Sequence, residues 1–416
     1  MAFGILLTME NNCTILFQLA LGLSDPWYVA AVRFEETPEC KRELHIDIDF
    51  KRGSKFPADD GTMLTAYDTV ERQWEHLNFF EHRCLIHARV PRIRFNNKTQ
   101  VVTVPWARKN SGFTLLFEAF AMLLIENEMP VSKAAGTLGV NPPRLWTVFS
   151  HWVDQALAHD QIPQIESIGF DETSSKKGHN YVTTAVDMKT RRVLFATEGK
   201  NADTIKQTAE YLQSKDVDCT KITNVCIDMS PAFISGCSEH IPNAAITFDK
   251  FHVVKEVNSA MDALRRLERR GNNLLKGHKY LFLKGKVSSA EFNERELLME
   301  YYPKLGEGYR LKEMLTEFWD IQDREEAEGY LTFWCDMVKE SRIQPFIRVA
   351  NMIKAHWSGV VNYIESRITN GILEGINSKI QLAKKRARGF RKVSNFIRMI
   401  YFTCGKLKFN YPRFSI

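Results

Sequence analysis

Three acidic residues, far apart in the chain, stand where short apolar runs end or where a helical pattern begins. Asp171 lies in IGFDETS, Asp228 in VCIDMS and Glu374 in NGILEGINSKI. A carboxylate at the end of a buried strand costs free energy unless it is paired or holds a cation. Two strand ends and one helix start can converge on one point, where their oxygens would suit Mg²⁺ or Mn²⁺. For each acid taken singly, a helix cap or a solvated surface group remains an alternative.

The apolar pattern around the first two acids predicts a mixed sheet. Alternating and continuous apolar runs indicate strands and one helix, in the order strand, strand, strand, helix, strand, strand: 165–172, 181–187, 192–197, 202–214, 224–228 and 245–248. Asp171 would lie on the first strand and Asp228 at the end of the fourth. Gly169, two residues before Asp171, is expected to let a bound backbone or a metal–water cluster approach closely.

The third acid opens a predicted helix that has one apolar and one polar face. The apolar stripe has spacings of three and four residues: Leu373, Ile376, Ile380, Ala383 and Ala387. Glu374 lies off this stripe, and Gly389 suits the C-terminus of the helix. Cations follow the carboxylate on or just after the polar face, and we expect them to bind phosphates: Lys384, Lys385, Arg386, Arg388 and Arg391.

The distribution of charge supports a polyanionic partner. Residues 379–416 contain 11 Lys and Arg and no Asp or Glu, whereas the other 378 residues carry 45 basic against 50 acidic residues. A basic surface next to the third acid is what nucleic-acid binding requires. A merely solvated basic face would have the same composition.

Longer stretches around these residues resemble a known family. Residues 168–200, CIDMSPAF, FDKFHVVKEVN and ITNGILEGINSKIQLAKKRARGFR are similar to the core of DDE transposases, which have an RNase H-like fold. The specific resemblance is to the ISL3 group of bacterial insertion-sequence transposases, and it extends to LGLSDPWYV and WEHLNFFEHRCLIHARVPR near the start. It implies that Asp171, Asp228 and Glu374 form the catalytic triad and bind the metal. Two Mg²⁺ or Mn²⁺ ions about 4 Å apart would clamp the attacking and leaving oxygens of a phosphodiester.

The resemblance also suggests a supporting pair and a set of partners. Asp249 and His252 match a Cys/Asp-x-x-His pair of related transposases and would orient a ligand or contact the phosphate. A hydrogen-bonded histidine at a strand-to-helix turn is the alternative. The implied partners are double-stranded DNA, as terminal inverted repeats and as target, and further copies of the chain in a dimer or higher multimer. No G-x-x-x-x-G-K-[ST] loop is present, so no ATP is expected.

Two other functions fit parts of the sequence. A DNA-binding regulator with an inactive RNase H-like core would retain the basic segment and the N-terminal modules, but the intact triad argues against it. A general nuclease of the same fold is disfavoured by the long N-terminal region.

The whole chain is therefore predicted to be a multidomain α+β or α/β protein. Residues 1–108 would form a small β-rich module with strands at 44–50, 87–95 and 100–107. Residues 163–257 and 362–416 would form the catalytic core, interrupted by an all-α insertion at 258–361. The tryptophans of the insertion, Trp319, Trp334 and Trp357, are expected to pack between helices.

The segment 112–160 is predicted to be a helix-turn-helix domain. Its first helix would place Leu116, Phe120, Leu123 and Leu124 on one apolar face. Gly139 suits the turn, and the second helix would begin near Pro142 and present Arg144 outward to DNA bases. A generic αα-hairpin would show the same spacing.

The cysteines, histidines and apolar runs bear on zinc binding and on the cellular compartment. The resembled family carries a zinc ribbon where this chain has KFPADDG without cysteine, so we predict no structural zinc. His82, Cys84 and His87 are expected to be core or surface groups. The eight cysteines include no C-x-x-C, which fits a reducing cytoplasm. The resemblance to bacterial transposases implies a protein associated with the nucleoid. No apolar run approaches the roughly 18 residues of a membrane span, and no export signal is recognised.

Overall fold

The structure is a computed structural model that describes residues 13–36, 38, 42–176, 178, 180–271, 273–368 and 371–412. The chain forms two compact units. The N-terminal unit holds the described residues up to Trp152 and those from Phe409 onward, and the C-terminal unit comprises Val153–Lys408. No helix among the described residues is long and apolar enough to cross a membrane.

The N-terminal unit is built on a five-stranded sheet, preceded by helix α1 at residues 13–20. The strands run in the order β1-β2-β6-β5, and β7 pairs with the far end of β6. Two short strands, β3 and β4, form a separate hairpin. The bounds are β1 Trp27–Glu35, β2 Glu43–Phe50, β3 Lys55–Pro57, β4 Met63–Thr65, β5 Asp68–Phe79, β6 His82–Phe95 and β7 Lys98–Val101.

A cluster of aromatic rings forms the core of this sheet. The ring of Trp27 packs edge-on against that of Trp106 at 5.0 Å between centroids, and Trp74 packs against Trp106 at 5.5 Å. The β-rich character of the region and the strands near 44–50 and 87–95 are confirmed. The strand expected at 100–107 is wrong beyond Val101, because the chain turns at Pro105 and sends Val104 and Trp106 into the core.

Three residues that resemble a metal set in the sequence are separated by the strand geometry. Cys84 is 1% exposed in the core, and burial raises the pKa of its thiol to about 12. His87 points to His45 on the neighbouring strand β2, with 2.8 Å between the ring nitrogens. His82 is partly exposed near the other end of β6.

Ion pairs link neighbouring strands of this sheet. Arg83 on β6 donates to Glu75 on β5 at 2.9 Å and to Glu43 on β2 at 3.2 Å. In the same way Arg89 contacts Asp49, and Arg92 contacts Asp68. The cations of the sheet therefore hold neighbouring strands together.

Three helices follow the sheet: α2 Leu115–Glu126, α3 Val131–Thr137 and α4 Pro142–His159. Gly139 adopts a left-handed φ of +70° in the turn between α3 and α4, a conformation that glycine reaches without steric cost. The predicted buried face of α2 is wrong. The residues expected there are only half-buried, and the fully buried side is formed by Phe117, Glu118, Ala119, Ala121, Met122 and Ile125.

Glu118 explains why the apolar pattern misplaced the face of α2. Its side chain is fully buried and accepts hydrogen bonds from Arg108 Nε at 2.9 Å, Ser111 Oγ at 2.5 Å and Trp152 Nε1 at 2.8 Å. A buried carboxylate is tolerated when it is paired and hydrogen-bonded in this way.

The C-terminal unit contains the second sheet, in the order β10-β9-β8-β11-β12. Strands β8, β9 and β10 are antiparallel neighbours, whereas β8, β11 and β12 are parallel. The elements are β8 Ser167–Lys176, β9 Asn180–Asp187, β10 Arg192–Glu198, α5 Ala202–Ser214, β11 Asn224–Ile227, α6 Pro231–His240 and β12 Ala245–Phe248. The predicted order of strands and helix in this region is confirmed, as is its mixed character.

Helices follow the last strand. In the described residues, 258–361 contain α-helices and short 3₁₀ turns but no strand. The bounds are α7 Lys250–Glu268, α8 Lys279–Leu283, α9 Ser289–Tyr301, α10 Pro303–Phe318, α11 Arg324–Ser341, α12 Gln344–Ala355, α13 Trp357–Ser366, α14 Gly371–Arg386 and α15 Val393–Cys404. Helix α7 runs through residue 258 without a break. Trp319 and Trp334 are 1% and 0% exposed and pack between helices, as expected, and they share one hydrophobic core with the sheet.

Two helices lie along the outer strands of this sheet. Asn362 on α13 donates to the carbonyl of Ile246 on β12 at 2.8 Å. A Cβ at Gly359 would come within 2.3 Å of the Phe248 ring, so the close approach of α13 to β12 requires glycine. On the opposite edge, the backbone N–H of Ala196 on β10 donates to the Tyr401 hydroxyl of α15 at 2.9 Å.

Candidate active site

The register of the parallel strands places three aspartates side by side. Gly169 on β8 pairs with Cys226 on β11, so Asp171 and Asp228, each two residues further on, occupy matching positions. Neighbouring strands lie about 4.8 Å apart. Cys226 also pairs with Thr247 on β12, which aligns Asp249 with Asp228. Asp228 and Asp249, each just beyond the end of its strand, thus form an acidic row with Asp171 in the middle of β8.

Burial and mutual repulsion mark Asp171 as the most perturbed of these acids. Burial is the main cause that raises its pKa to about 6, and the charges of Asp228 and Glu172 add to the shift. The backbone N–H of Glu172 donates to Asp171 Oδ1 at 2.7 Å and acts in the opposite direction. Asp228 accepts a hydrogen bond from the Ser230 backbone N–H at 2.9 Å, which opens the turn into α6. The two acids therefore form one electrostatically coupled site.

Asp249 and His252 form the hydrogen-bonded pair at a strand-to-helix turn that the sequence left as one of two alternatives. Asp249 is 2% exposed and caps α7 by accepting a hydrogen bond from the Phe251 backbone N–H at 3.0 Å. Its other oxygen lies 2.9 Å from His252 Nδ1. This hydrogen bond is the main cause that raises the pKa of His252, and Asp228 contributes. The histidine is thus a hydrogen-bonded residue at a strand-to-helix turn that also lies within electrostatic reach of Asp171 and Asp228.

Helix α14 is fastened to β8 by its polar face. Asn377 Nδ2 donates to Asp171 Oδ2, Gln381 Nε2 donates to Thr173 Oγ1, and Lys384 Nζ donates to the carbonyl of Ser174. On the apolar side Leu373, Ile376 and Ile380 are buried, as the stripe predicted. Arg388 and Gly389 follow the helix with left-handed φ values of 56° and 90°, which agrees with the expected C-terminus.

The expectation for Gly169 is wrong. A Cβ at this position would lie 2.5 Å from Met188 Sδ and 3.0 Å from Leu373 Cδ1. The space beside Gly169 is therefore filled by side chains of the protein. The glycine is needed because α14 packs so closely on β8, and not because a ligand approaches there.

Glu374 is placed differently from the two aspartates. It is exposed in the first turn of α14, three residues before Asn377, whose amide contacts Asp171. Within the described parts of the chain, no three His, Cys, Asp or Glu side chains lie close enough together to hold a metal ion. The structure thus brings Asp171 and Asp228 together, and Glu374 lies one helical turn before the asparagine that contacts Asp171.

The residues around Asp171 nevertheless fit a divalent cation. Burial is the main cause that raises the pKa values of Asp171 and Glu172, and the charge of Asp228 adds to both, so a bound cation would stabilise their ionised forms. The Oδ1 atom of Asn377 is buried and accepts no hydrogen bond from the described residues. Carboxylate and amide oxygens are the hard ligands that Mg²⁺ and Mn²⁺ prefer. The sequence alone assigned Asn377 no role, because an asparagine on a helix surface carries no functional signal by itself.

The predicted phosphate-binding cations fall into two groups. Lys384 is half-buried and contacts β8, so its ammonium group is already engaged. Lys385, Arg386, Arg388 and Arg391 are exposed. The carbonyl of Arg391 accepts a hydrogen bond from Lys176 on β8 at 2.9 Å, which brings a further cation to the same end of the helix.

Arg144 is exposed at the start of α4, as expected, but its guanidinium group also has partners within the N-terminal unit. Its Nη1 lies 3.1 Å from Glu75 Oε2 on β5, and the group lies 4.2 Å over the ring of Phe113. Glu75 is buried, so the ion pair ties the start of α4 to the N-terminal sheet. Thr147, one turn later, is exposed on α4.

Comparisons with known proteins identify the family of this chain. A family model for ISL3 transposases with a DDE core matches residues 168–400, and a model for the helix-turn-helix domain of the ISL3 transposase family matches residues 102–153. The chain is 27% identical over 372 residues to the transposase for insertion sequence element IS1557 of Mycobacterium tuberculosis, covering 80% of this chain and 81% of that protein. It is 26% identical over 347 residues to the transposase for IS1001 of Bordetella parapertussis, covering 80% and 84%. Because the first family model covers more than half of the chain, the protein belongs to the ISL3 family of insertion-sequence transposases, which are DNA-binding enzymes.

Proposed function

We propose that this transposase binds the ends of its insertion sequence and cleaves and joins DNA by metal-dependent phosphoryl transfer. The active site would consist of Asp171, Asp228 and Glu374 on an RNase H-like core. The observation that carries the proposal is the matching register of Asp171 and Asp228 on adjacent parallel strands. The strand order, with an antiparallel hairpin pair on one side of β8 and two parallel strands on the other, supports the RNase H-like assignment.

Each residue of the site has a proposed task. Asp171 and Asp228 would hold one or two divalent cations, with Asn377 beside Asp171 as a positioning residue. Glu374 would join them as the third ligand once DNA and metal are bound. Bound Mg²⁺ or Mn²⁺ would activate the attacking hydroxyl and stabilise charge on the phosphate. His252 lies close enough to the acids to contact the same phosphate, with Asp249 orienting its ring.

The reaction would proceed in two displacements at phosphorus. In the first, water attacks the phosphodiester at the element end, and the bond to the 3′-oxygen breaks to leave a 3′-hydroxyl and a 5′-phosphate. In the second, this 3′-hydroxyl attacks a phosphodiester of target DNA and displaces its 3′-oxygen. No covalent link between protein and DNA is needed. Exposed cations after Glu374, such as Lys385 and Arg388, would bind the phosphates on either side.

Recognition of the ends would belong to the N-terminal unit, through α3 and α4 of the helix-turn-helix domain, and a dimer or higher multimer would hold paired ends. A DNA-binding regulator with an inactive core is the second candidate, since Glu374 is exposed and no three potential metal ligands are grouped among the described residues.

A cleavage assay on the element's own ends separates these functions. Asp171→Ala, Asp228→Ala and Glu374→Ala should each reduce cleavage by about 10³-fold or more, the upper range for removing one charge-stabilising group, while end binding persists. Ca²⁺ should support binding without cleavage, because its looser coordination holds the reacting oxygens poorly.

Asp218 provides a matched control for Asp228. It also accepts a hydrogen bond from the backbone N–H two residues on, at 3.0 Å from Thr220, but it lies outside the acidic row. Asp218→Ala should cleave like the unmodified protein. Cleavage at the unmodified rate by any triad variant in Mg²⁺ would refute the assignment, and absence of cleavage by the unmodified protein would favour the regulator.

A further inference from the structure

A second basic segment lies in the helical part of the C-terminal unit. Residues 265–286 contain eight cations and a single acid, Glu268. The cations are Arg265, Arg266, Arg269, Arg270, Lys276, Lys279, Lys284 and Lys286. The helices that follow, residues 287–361, have the opposite balance, with nine basic and 14 acidic residues. Charge is therefore segregated within this region, although its overall composition conceals it.

Part of the segment has a structural role. Arg265 is 7% exposed, donates to Asp262 at 2.8 Å and to the carbonyl of Leu275 at 2.9 Å, and so fixes the turn after α7. Arg266 pairs with the same Asp262 at 3.0 Å, and Lys284 pairs with Glu291 at 3.0 Å. These three cations are neutralised by carboxylates of their own neighbourhood.

The other five cations are left without such partners. Arg269, Arg270, Lys276, Lys279 and Lys286 are all exposed. Among the described residues, none of the five has a carboxylate within 4.0 Å. We name these five the α7–α8 cations. Like charges gathered on one surface repel one another and raise the local concentration of a polyanion.

The backbone that carries these cations is anchored. Leu275, Leu281 and Phe282 are 0%, 7% and 1% exposed and belong to the core that the helices share with the sheet. These three side chains therefore anchor the segment, whereas the α7–α8 cations and the apolar side chains of Leu267, Leu274 and Tyr280 are exposed. This arrangement suits a phosphate backbone better than an anionic membrane, because α8 is only five residues long and buries Leu281 and Phe282, which leaves Tyr280 as its exposed ring.

We propose that the α7–α8 cations form a second surface for the phosphates of double-stranded DNA, in addition to the cations after Glu374. The inference rests on the transposase acting on duplex DNA and assigns a contact region outside the site and the helix-turn-helix domain. Phosphate contacts of this kind position a duplex and carry no base preference. The acidic helices of a second copy are the competing partner, and the experiment below tests them.

The test measures the salt dependence of binding by the full chain to a duplex of random sequence. In a variant with Arg269→Gln, Arg270→Gln, Lys276→Gln and Lys279→Gln, the slope of log K against log salt should decrease by about 3 to 4 units, since each phosphate contact contributes about 0.9. The control removes the same charge from exposed positions of the acidic helices: Lys304→Gln, Arg310→Gln, Lys339→Gln and Arg348→Gln. Its slope should stay unchanged.

Three results would overturn the proposal. They are an unchanged slope in the first variant, an equal decrease in both variants, and a first variant that keeps its slope but no longer self-associates in the absence of DNA. If the first variant does not fold, the pair Lys276→Gln and Lys279→Gln serves instead, with an expected decrease of about 2 units. Asp171→Ala should retain the full slope, so a failure of the proposed chemistry would leave this surface intact and can be told apart from it.

Discussion

The two units of the molecule use their cations differently. In the N-terminal sheet, arginines bridge neighbouring strands: Arg83 contacts Glu75 and Glu43, and Arg89 contacts Asp49. In the C-terminal unit, the α7–α8 cations and several residues after Glu374 face solvent. A paired cation contributes to folding, whereas an exposed one is available to a polyanion. We therefore expect neutralisation of the paired sheet arginines to lower stability, and neutralisation of the exposed cations of the C-terminal unit to lower DNA affinity.

The strongest test of the structural role is at Glu118. Glu118→Ala leaves Arg108 and the indole N–H of Trp152 without their buried acceptor. Removing one partner of a buried ion pair costs about 3–5 kcal/mol, so the N-terminal unit should unfold at a much lower denaturant concentration. Glu81→Ala, at an exposed turn position, is the control and should change the midpoint little. Equal midpoints would show that the buried network contributes no stability.

The cations after Glu374 provide the opposite case. Lys385→Gln, Arg388→Gln and Arg391→Gln together should leave the thermal midpoint unchanged and weaken binding to all DNA sequences alike. The salt slope should decrease by about 3 units. Lys384→Gln is the matched variant on the same helix, and because its ammonium group contacts Ser174 it should affect the slope less than any of the other three. A slope that survives the triple substitution would show that this face is only solvated.

Arg144 tests whether a cation in the helix-turn-helix domain stabilises the fold through its ion pair, as the sheet arginines do. Arg144→Ala should lower stability by about 1.5–3 kcal/mol, the range for hydrogen bonds to charged groups, and should leave base preference unchanged. Thr147→Ala, one exposed turn later, should keep stability and is the better candidate for altered preference. Relaxed preference at a single base pair in the Arg144 variant, at unchanged stability, would restore the base-reading role.

The smallest effect is expected for an exposed pair on the sheet. Arg89 is 56% exposed and Asp49 19%, and pairs near the surface contribute about 0–1 kcal/mol. Arg89→Ala should therefore reduce the free energy of unfolding by less than about 1 kcal/mol and leave the DNA salt slope as it was. A decrease in slope would place this arginine among the DNA-binding cations and break the distinction between the units.

Sequence patterns were sufficient to predict those elements whose apolar residues recur with a local period. The order of strands around Asp171 and Asp228 and the buried stripe of α14 follow from alternation and helical spacing. They were insufficient where the partner is distant in the chain. Arg144 pairs with Glu75, 69 residues earlier, on a strand whose half-exposed alternation of polar residues was not recognised as β5.

The candidate site shows the same limit. Its two aspartates could be foreseen, but the contact of Asn377 with Asp171 spans 206 residues. Packing of Leu373 against Gly169 likewise depends on how α14 crosses the sheet. The α7–α8 cations were overlooked for another reason: the charge was summed over long segments, in which neighbouring acidic helices cancel it.

The helices along the outer strands of the catalytic sheet bear on how copies of this protein can assemble. Unpaired strand edges are the usual place where one β-sheet continues into another. Here Asn362 of α13 donates a hydrogen bond to a backbone carbonyl of β12, and the hydroxyl of Tyr401 on α15 accepts one from a backbone N–H of β10. Strand addition between copies would have to displace a packed helix on either side. A multimer on paired DNA ends would therefore not be expected to form by strand addition at this sheet, which would stay within a single chain.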